Sequence, residues 1–543
     1  MSVFQRILRL LRPSHEHSEL SATVLLMFAV MLSRVIGFFR EAYIAYAFGA
    51  GHATDAYNAA FTLPDWLNYL VAGGTASITF IAIYTKFLAE KREDEAQKTF
   101  SVIITVMTVV LGIGIVLAEI FAPNIERHLF PHFGPDELSL CVHLTRILLP
   151  AQVFFYVGGV VSAVLLSRRL FLLPAFGPLL YNVFIILGGV TLGRRFGISS
   201  LAFGALFGSF VGPFLVNAIG ARRVGTGYRP SFDLGNVAFR NWVKLSIPLM
   251  LGVSLVTADD WILRYFASGG VGDITRLNYA KRLFLVPIAV LGQATGQASL
   301  PFFARLFNEK RLQEFRDTVN NSVYRITAVS FLATAWMMAA ALPLIDILYR
   351  RGRFHFSDSR ETALYFFWFA ISLAFWSAQA LYARAFYAAG DTLTPMIASS
   401  IITLVSLPLY AVLFGTFSVV GLTIASDVGI FANTVAMALL LHRRKLVMTS
   451  ALPWKELGKV AFISLFALAL SYGVAHSVTL NGSRAADFLR LFLVSITWAA
   501  AVAMGLWATR SQLPRALRER GQRTTYPHVA EKHAEELSAG MEP

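Results

Sequence analysis

The sequence has little cysteine and little charge, and each shortage excludes a class of protein. A single cysteine, Cys141, excludes an internal disulfide and a metal cluster built from cysteines. Charged residues make up 15% of the 543 residues, while hydrophobic residues make up 56%. A soluble chain of this length needs more charged surface, because its outer face must be hydrated. Composition therefore predicts a membrane protein.

Signature motifs of common enzymes are also absent from the sequence. It contains no GxxxxGK[ST] phosphate loop, no GxSxG nucleophile elbow and no HExxH zinc motif, and its 11 histidines are scattered. These absences favour a transporter over an enzyme, with no cofactor and no metal. Without an ATP site, transport would draw on an ion gradient, the membrane potential or consumption of the cargo downstream.

The sequence does contain many apolar runs long enough to cross a bilayer, which takes about 20 helical residues. Counting them predicts about fourteen transmembrane helices. Five of these predicted spans, the first, second, seventh, eleventh and twelfth, matter below and lie at 20–48, 58–88, 237–267, 393–416 and 418–442.

A repeat divides these runs into two halves. Residues 74–80 (GTASITF) resemble residues 296–302 (GQASLPF) at a lag of roughly 220 residues. Since an even number of spans separates the two segments, both halves insert in the same orientation. The predicted fold is an all-α polytopic membrane protein with two parallel six-helix lobes around a central cavity and two extra C-terminal helices. Its predicted segments are a cytoplasmic interfacial helix at 1–19, an N-lobe at 20–222 (spans 1–6), a C-lobe at 237–442 (spans 7–12), spans 13 and 14 at 455–509, and a disordered basic cytoplasmic tail at 510–543.

Basic residues give the chain a formal net charge of +15. In a soluble protein this excess would suggest nucleic acid, but here Lys and Arg concentrate in alternate loops, as the positive-inside rule requires. Lys and Arg are absent from GAGHATDAYN, ASGGVGD and GTFS and frequent in ARRVGTGYRP, ARLFNEKR and HRRK. Two loops, GRRFG and YRRGRF, oppose this pattern and are outnumbered. The pattern predicts that both termini are cytoplasmic and that nucleic acid is not a partner.

Several charged residues fall in or beside the first predicted span, where each buried charge costs about 2.5–3.5 kcal/mol on insertion scales. Arg34, Arg40 and Glu41 lie within the span, and Asp55 lies in the turn after it. A guanidinium can take two phosphate oxygens, so Arg34 and Arg40 could line a cavity for a diphosphate. The alternative is that Arg40 and Glu41 lie near the membrane surface or pair structurally with Asp55.

The second half carries charges at equivalent places. Asp259, Asp260 and Arg264 lie in the seventh predicted span, and Lys281 and Arg282 lie in the eighth. Asp259 and Asp260 could form an ion or proton route, because carboxylates are hard oxygen ligands. The spacing favours a simpler role for Asp260, an intrahelical pair with Arg264 at i, i+4.

Six segments carry a resemblance to a known family. Residues 33–41 (SRVIGFFRE), 48–56 (FGAGHATDA), 61–64 (FTLP), 174–178 (PAFGP), 278–283 (NYAKRL) and 385–395 (AFYAAGDTLTP) resemble the MurJ (MviN) lipid II flippases of the multidrug/oligosaccharidyl-lipid/polysaccharide exporter superfamily. The resemblance implies a bacterial inner-membrane protein that moves undecaprenyl-diphosphate-linked peptidoglycan precursor to the periplasmic leaflet by alternating access. It implies lipid II or a related polyprenyl-diphosphate-linked glycan, membrane lipids and cell-wall synthesis proteins as partners.

The resemblance also assigns a substrate site. The family's central-cavity arginines correspond to Arg34, Arg40 and Arg282, which would hold the diphosphate, and Asp55 would gate the cavity or pair with them. Asn68 stands where members commonly place a third N-lobe arginine.

Other departures from the family pattern keep further functions open. Gly73 stands where members have an acidic residue, and Ser406 and Tyr410 stand where some members hold sodium with Asn and Asp. An exporter of another polyprenyl-linked glycan is therefore an alternative. A multidrug antiporter, which would need an acidic cavity, and a non-transporting scaffold for cell-wall synthesis are more distant ones.

Overall fold

The computed structural model describes residues 19–72, 75–251, 255–477 and 484–522. These residues form helices and the turns that connect them, with no β-strand among them, so the all-α prediction is confirmed for this part of the chain. The interfacial helix predicted at residues 1–19 lies outside the described residues except for Glu19, and Gly73 lies outside them too.

Apolar runs become helices with the following bounds. In the first half of the chain they are α1 (Glu19–Phe48), α2 (His52–Ala59), α3 (Thr62–Ala72), α4 (Thr75–Ala89), α5 (Glu93–Leu129), α6 (Pro135–Leu148), α7 (Ala151–Ser167), α8 (Leu172–Phe196), α9 (Ser199–Ser209), a π-helical segment (Phe210–Val216), α10 (Asn217–Arg223), α11 (Val237–Leu251) and α12 (Leu255–Ala267). In the second half they are α13 (Asp273–Pro287), a second π-helical segment (Ile288–Ala294), α14 (Thr295–Asn308), α15 (Leu312–Ala339), α16 (Ala341–Tyr349), α17 (Phe356–Ile371), α18 (Leu373–Ala388), α19 (Leu393–Arg443), a 3₁₀ turn (Thr449–Ala451), α20 (Trp454–Ser477), α21 (Arg484–Ala508) and α22 (Leu513–Gln522).

Eight described helices are long and apolar enough to cross a membrane, or ten if each of two bent pairs is one span. The count of fourteen therefore stays a prediction. The predicted second and seventh spans each contain residues outside the described ones, at 73–74 and 252–254.

The long helix α19 contains a division that the sequence predicts. Ser418 has a non-helical backbone, with φ 53° and ψ −139°, so α19 consists of two helices that meet at a kink. The predicted eleventh and twelfth spans are separated at the same place.

The chain divides into two compact units. The first comprises Met1–Arg282, Ile345–Tyr365 and Ser399–Ser426, and the second comprises Leu283–Leu344, Phe366–Ala398 and Asp427–Pro543. Each unit has its own buried apolar cluster, built around Phe80, Phe100 and Trp242 in the first and around Phe303, Phe315 and Phe386 in the second. The lobe boundaries predicted from the repeat stay a prediction.

Glycines in the first unit allow one close approach of helices and one tight turn. A Cβ atom on Gly188 of α8 would lie 2.6 Å from the carbonyl oxygen of Ser200 and 2.8 Å from the Cα of Gly204, so α8 and α9 pack with their backbones together. Gly49 follows the last residue of α1 and has φ +73°, a backbone conformation that residues other than glycine rarely adopt. This turn directs the chain from α1 into α2, and both helices supply residues of the candidate site.

The predicted disordered tail is wrong for residues 513–522, which form α22. The buried carboxylate of Glu456 accepts hydrogen bonds from the Ser511 hydroxyl and the Gln512 backbone N–H. Leu513 is buried in the apolar cluster of the second unit. These local contacts order the start of the tail, and residues 523–543 lie outside the described ones.

Candidate functional site

A cavity of about 190 Å³ in the first unit is lined largely by polar side chains. Helices α1, α2, α3, α8, α12 and α13 contribute to it. The lining residues are Arg40, Glu41, Ile44, Tyr57, Asn58, Phe61, Asp65, Tyr181, Arg264 and Arg282. We call this cavity the arginine pocket.

Two arginines of the pocket converge on one carboxylate oxygen. Nε of Arg40 donates to Oε1 of Glu41 at 3.0 Å, and Nη1 of Arg282 lies 2.6 Å from the same oxygen. Nη1 of Arg40 donates to the side-chain oxygen of Asn182 at 2.8 Å, and Nε of Arg282 donates to that of Asn278 at 3.0 Å. Glu41 is 4% exposed. A buried anion thus bridges two guanidinium groups from distant parts of the sequence.

A third arginine occupies the next part of the pocket wall. Nη1 of Arg264 lies 3.4 Å from a carboxylate oxygen of Asp65 and donates to the hydroxyl of Thr62 at 3.1 Å. The predicted pair of Asp260 with Arg264 is therefore wrong: Asp260 lies 2.6 Å from Nζ of Lys281 instead. Helical spacing makes the i, i+4 pair available, but α3 and α13 offer both partners an ion pair across helices.

The pocket lining carries three arginines and two carboxylates, a formal excess of one positive charge. Each of the three pocket arginines is already in contact with an oxygen acceptor. An incoming anion must therefore compete with Glu41 or Asp65 for the guanidinium groups. The pocket is suited to an exchange of anions.

Asp55 does not pair with an arginine in this structure. One oxygen of its fully buried carboxylate accepts the Gly272 N–H at 2.5 Å, and the other accepts the N–H and hydroxyl of Thr275 at 2.8 and 2.6 Å. These donors lie at the N-terminus of α13, where backbone N–H groups lack helical partners and the helix dipole favours an anion. Burial raises the pKa of the Asp55 carboxyl to about 7, although the donated hydrogen bonds favour its charged form.

The structure brings together some of the predicted site residues and not others. Arg40 and Arg282 meet in the arginine pocket, and Asp55 lies one turn before the lining residue Asn58. Neither Arg34, whose side chain is exposed, nor the half-buried Asn68 is among the lining residues. The alternative that Arg40 and Glu41 pair with Asp55 is not what the described contacts show.

Other lining residues were missed from the sequence. Asp65 could have been recognised from the sequence as a candidate site residue, since it is a carboxylate inside a predicted span. Glu41 was noted, but nothing in the pattern indicates that it bridges two arginines. Tyr57 and Tyr181 have no sequence signal, because aromatic residues occur throughout the apolar runs.

Asp259 and Asp260, the predicted ion or proton route, lie beside this pocket. Asp259 is buried and contacts both Lys281 and Tyr410, and Lys281 also contacts Asp260. The residue after Lys281 is Arg282, so α13 contributes to both clusters.

The sequence model of the family described as "Lipid II flippase MurJ" matches residues 44–493. The chain belongs to this family. A curated MurJ lipid II flippase of Burkholderia cenocepacia is 29% identical over 86% of this chain and 92% of its own length. A probable lipid II flippase MurJ of Buchnera aphidicola is 25% identical over 85% and 92%. The predicted resemblance to MurJ proteins, and with it a transporter rather than an enzyme, is confirmed.

Solved structures agree on the fold. A lipid II flippase MurJ in an inward closed conformation matches with a TM-score of 0.75 at 21% identity, over 90% of this chain and 99% of that one. An inward-facing multidrug resistance MATE transporter of the MOP superfamily matches with a TM-score of 0.63 at 14% identity, over 78% and 98%. Both likenesses concern the fold alone. The chain is a multi-pass helical membrane transporter of the MurJ family.

Proposed function

We propose that this chain moves lipid II, the undecaprenyl-diphosphate-linked peptidoglycan precursor, across the bacterial inner membrane by alternating access. Membership of the MurJ family supports this cargo, and the observation that carries the site assignment is the contact of Arg40 and Arg282 with one oxygen of Glu41. A phosphate oxygen is an acceptor of the same charge, and guanidinium groups bind phosphate bidentately. In this proposal the diphosphate displaces Glu41 from both arginines.

The size of the pocket bears on the transport cycle. Its 190 Å³ is smaller than the roughly 300–1,000 Å³ of pockets that enclose drug-sized ligands. A disaccharide pentapeptide therefore does not fit in this conformation, and the site must widen before the headgroup enters. A site that is closed around its own ion pairs in one state and open in another is what alternating access requires.

The remaining predicted residues have proposed roles in the same cycle. Arg34 lies six residues before Arg40 on α1 and would meet the diphosphate at another depth, while Asn68 would contribute a neutral contact on α3. Asp55 would act as the gate, because its hydrogen bonds tie α2 to the start of α13 and must break for these elements to separate.

The proposed location is the bacterial inner membrane, with both termini in the cytoplasm as the basic loops predict. Proposed partners are lipid II or a related polyprenyl-diphosphate-linked glycan, membrane lipids and proteins of cell-wall synthesis. The two six-helix lobes and the separate last two spans are part of the same proposal.

A second candidate is an exporter of another polyprenyl-linked glycan. The neutral Asn68 favours it, since the position lacks the charge that family members commonly place there. A multidrug antiporter shares the fold, but the excess of positive charge in the arginine pocket disfavours cationic drugs. A scaffold without transport predicts that neutral substitutions at Arg34 or Arg282 are harmless.

Complementation tests the proposal. In a host depleted of its lipid II flippase, we expect the intact chain to restore growth and the Arg40→Ala and Arg282→Ala variants to fail at equal membrane levels. Arg92→Ala is the matched control, because Arg92 forms exposed ion pairs with Glu90 and Glu95 outside the spans. Failure of the well-expressed intact chain would favour the second candidate. Rescue by both pocket variants would remove the arginines from the mechanism.

A further inference from the structure

A second ionic cluster lies beside the arginine pocket, with Asp259 and Lys281 buried and Asp260 partly exposed. The transport proposal above assigns it no contact with the cargo. It joins Asp259 and Asp260 of α12, Lys281 of α13 and Tyr410 of α19, all in the first unit. Nζ of Lys281 forms ion pairs with Oδ2 of Asp259 and, at 2.6 Å, with Oδ1 of Asp260. The Tyr410 hydroxyl donates to Oδ1 of Asp259.

Burial of Asp259 means that its charge must be compensated within the protein. Asp259 is 1% exposed, so its negative charge needs a partner that replaces hydration. Both carboxylate oxygens of Asp259 have such a partner: Oδ2 contacts the ammonium of Lys281, and Oδ1 accepts a hydrogen bond from the hydroxyl of Tyr410. Two neighbouring carboxylates, the buried Asp259 and the partly exposed Asp260, would otherwise offer hard oxygen ligands to a small metal cation. Here an ammonium group of the chain lies between the two carboxylates, where such a cation would have to bind.

We propose that Lys281 is the permanent cation of this site. Its ammonium group occupies the position between the two carboxylates of Asp259 and Asp260 and balances one of their two negative charges, so the pair binds no sodium or other free metal cation. A transport cycle that follows the proposed function therefore draws no energy from a sodium gradient at this place. Occupancy of the site by Lys281 does not depend on what the protein transports.

The position of Lys281 in the chain gives the site a mechanical consequence. The ammonium is covalently fixed to α13, one residue before Arg282, which contacts Glu41 in the arginine pocket. A free cation can leave when helices separate, whereas Lys281 must either keep its carboxylates or exchange them for other acceptors. Movement of α13 thus acts on the ion pairs of Lys281 and Arg282 together.

Thermal unfolding of the purified full-length protein tests the proposal. Midpoints are measured for wild type and Lys281→Ala in NaCl, KCl and choline chloride at equal ionic strength. We expect wild type to show the same midpoint in all three salts. Lys281→Ala leaves two adjacent carboxylates, of which Asp259 is buried, and a vacant volume between them. In choline chloride its midpoint should therefore be lower than that of wild type, and the midpoint should rise saturably with Na⁺.

Two controls make the result specific. Lys98→Ala removes an ammonium from the exposed ion pair with Asp233, at 2.9 Å, and should give no response particular to Na⁺. The double variant Asp259→Asn/Lys281→Ala should lose the response that the single variant gains. A Na⁺-specific rise in wild type, or a folded Lys281→Ala without one, would overturn the proposal.

Radioactive sodium binding to wild type keeps the test decisive if Lys281→Ala does not fold. We expect wild type to show no saturable ²²Na⁺ binding at this site. Saturable binding to wild type that Asp259→Asn abolishes would refute the inference. Translocation of the lipid by wild type should be equal in NaCl and choline chloride. Absence of translocation in both salts would count against the proposed function instead, and leave the cation measurements to decide this inference.

Discussion

Replacement of Arg282 by Gln should weaken binding of the lipid diphosphate without unfolding the protein. The Arg282 side chain is 39% exposed, whereas that of Arg40 is 13% exposed, so the first can be lost with less damage to packing. Glu41 keeps Arg40 as a partner in this variant. A hydrogen bond to a charged group contributes about 1.5–3 kcal/mol. Losing one such contact corresponds to a roughly 10- to 150-fold increase in Kd.

The assay is equilibrium binding of a fluorescent lipid II analogue to purified variants in detergent. Arg282→Lys should recover part of the affinity, because it restores the charge but not the bidentate geometry. Arg92→Gln should bind as wild type does. Thermal midpoints measured in parallel separate loss of binding from loss of fold. Arg40→Gln should have the lower midpoint, because Arg40 is the more buried of the two and also loses its hydrogen bond to Asn182. Wild-type affinity in a folded Arg282→Gln protein would show that Arg282 does not hold the diphosphate.

Three further predictions use the same purified protein. Glu41→Gln removes the anion that competes for the arginines, so it should bind the analogue more tightly; weaker binding would show that Glu41 supports the ligand instead. The pKa of about 7 for folded Asp55 exceeds the value near 4 of an exposed carboxyl, so the folded state holds the proton more tightly. The contribution of Asp55 to the free energy of unfolding is therefore greatest below about pH 4 and is lost as the pH rises to about 7. The thermal midpoint of wild type, measured relative to that of Asp55→Asn, should fall between about pH 4 and 7 and stay constant above pH 7. Gly188→Leu should lower the midpoint through overpacking of about 1–3 kcal/mol or more, while Gly112→Ala, with nothing within 4 Å of the new Cβ, should not.

Apolar runs predicted the helices well, because a segment surrounded by lipid must satisfy its backbone hydrogen bonds internally. The division of α19 at Ser418 falls where the sequence separates two spans. The total number of spans is harder to predict, since length and apolarity of a single segment do not say whether neighbouring helices form one crossing or two. The two bent helix pairs are examples of this ambiguity.

Charge inside a span predicted that Arg40 and Arg282 are candidate site residues, but it did not predict the residues that they contact. Glu41 is next to Arg40 in sequence and 241 positions before Arg282, and only the fold brings the second arginine to the same oxygen. The pairing of Asp260 was predicted from helical spacing and was wrong, because Lys281 on another helix lies closer. Helical spacing predicts contacts within one helix, and it does not predict contacts with the helices packed against it.

Transport of lipid II through the arginine pocket is tested most directly by measuring lipid II orientation in living cells. A host depleted of its own flippase, and expressing either this chain or its Arg40→Ala/Arg282→Ala variant, is treated with an externally added enzyme that cleaves lipid II in the outer leaflet. We expect cleavable lipid II to appear with the intact chain and to stay at the depleted level with the variant, at equal amounts of protein in the membrane. Equal cleavage in both strains, or none with the intact chain, would contradict it.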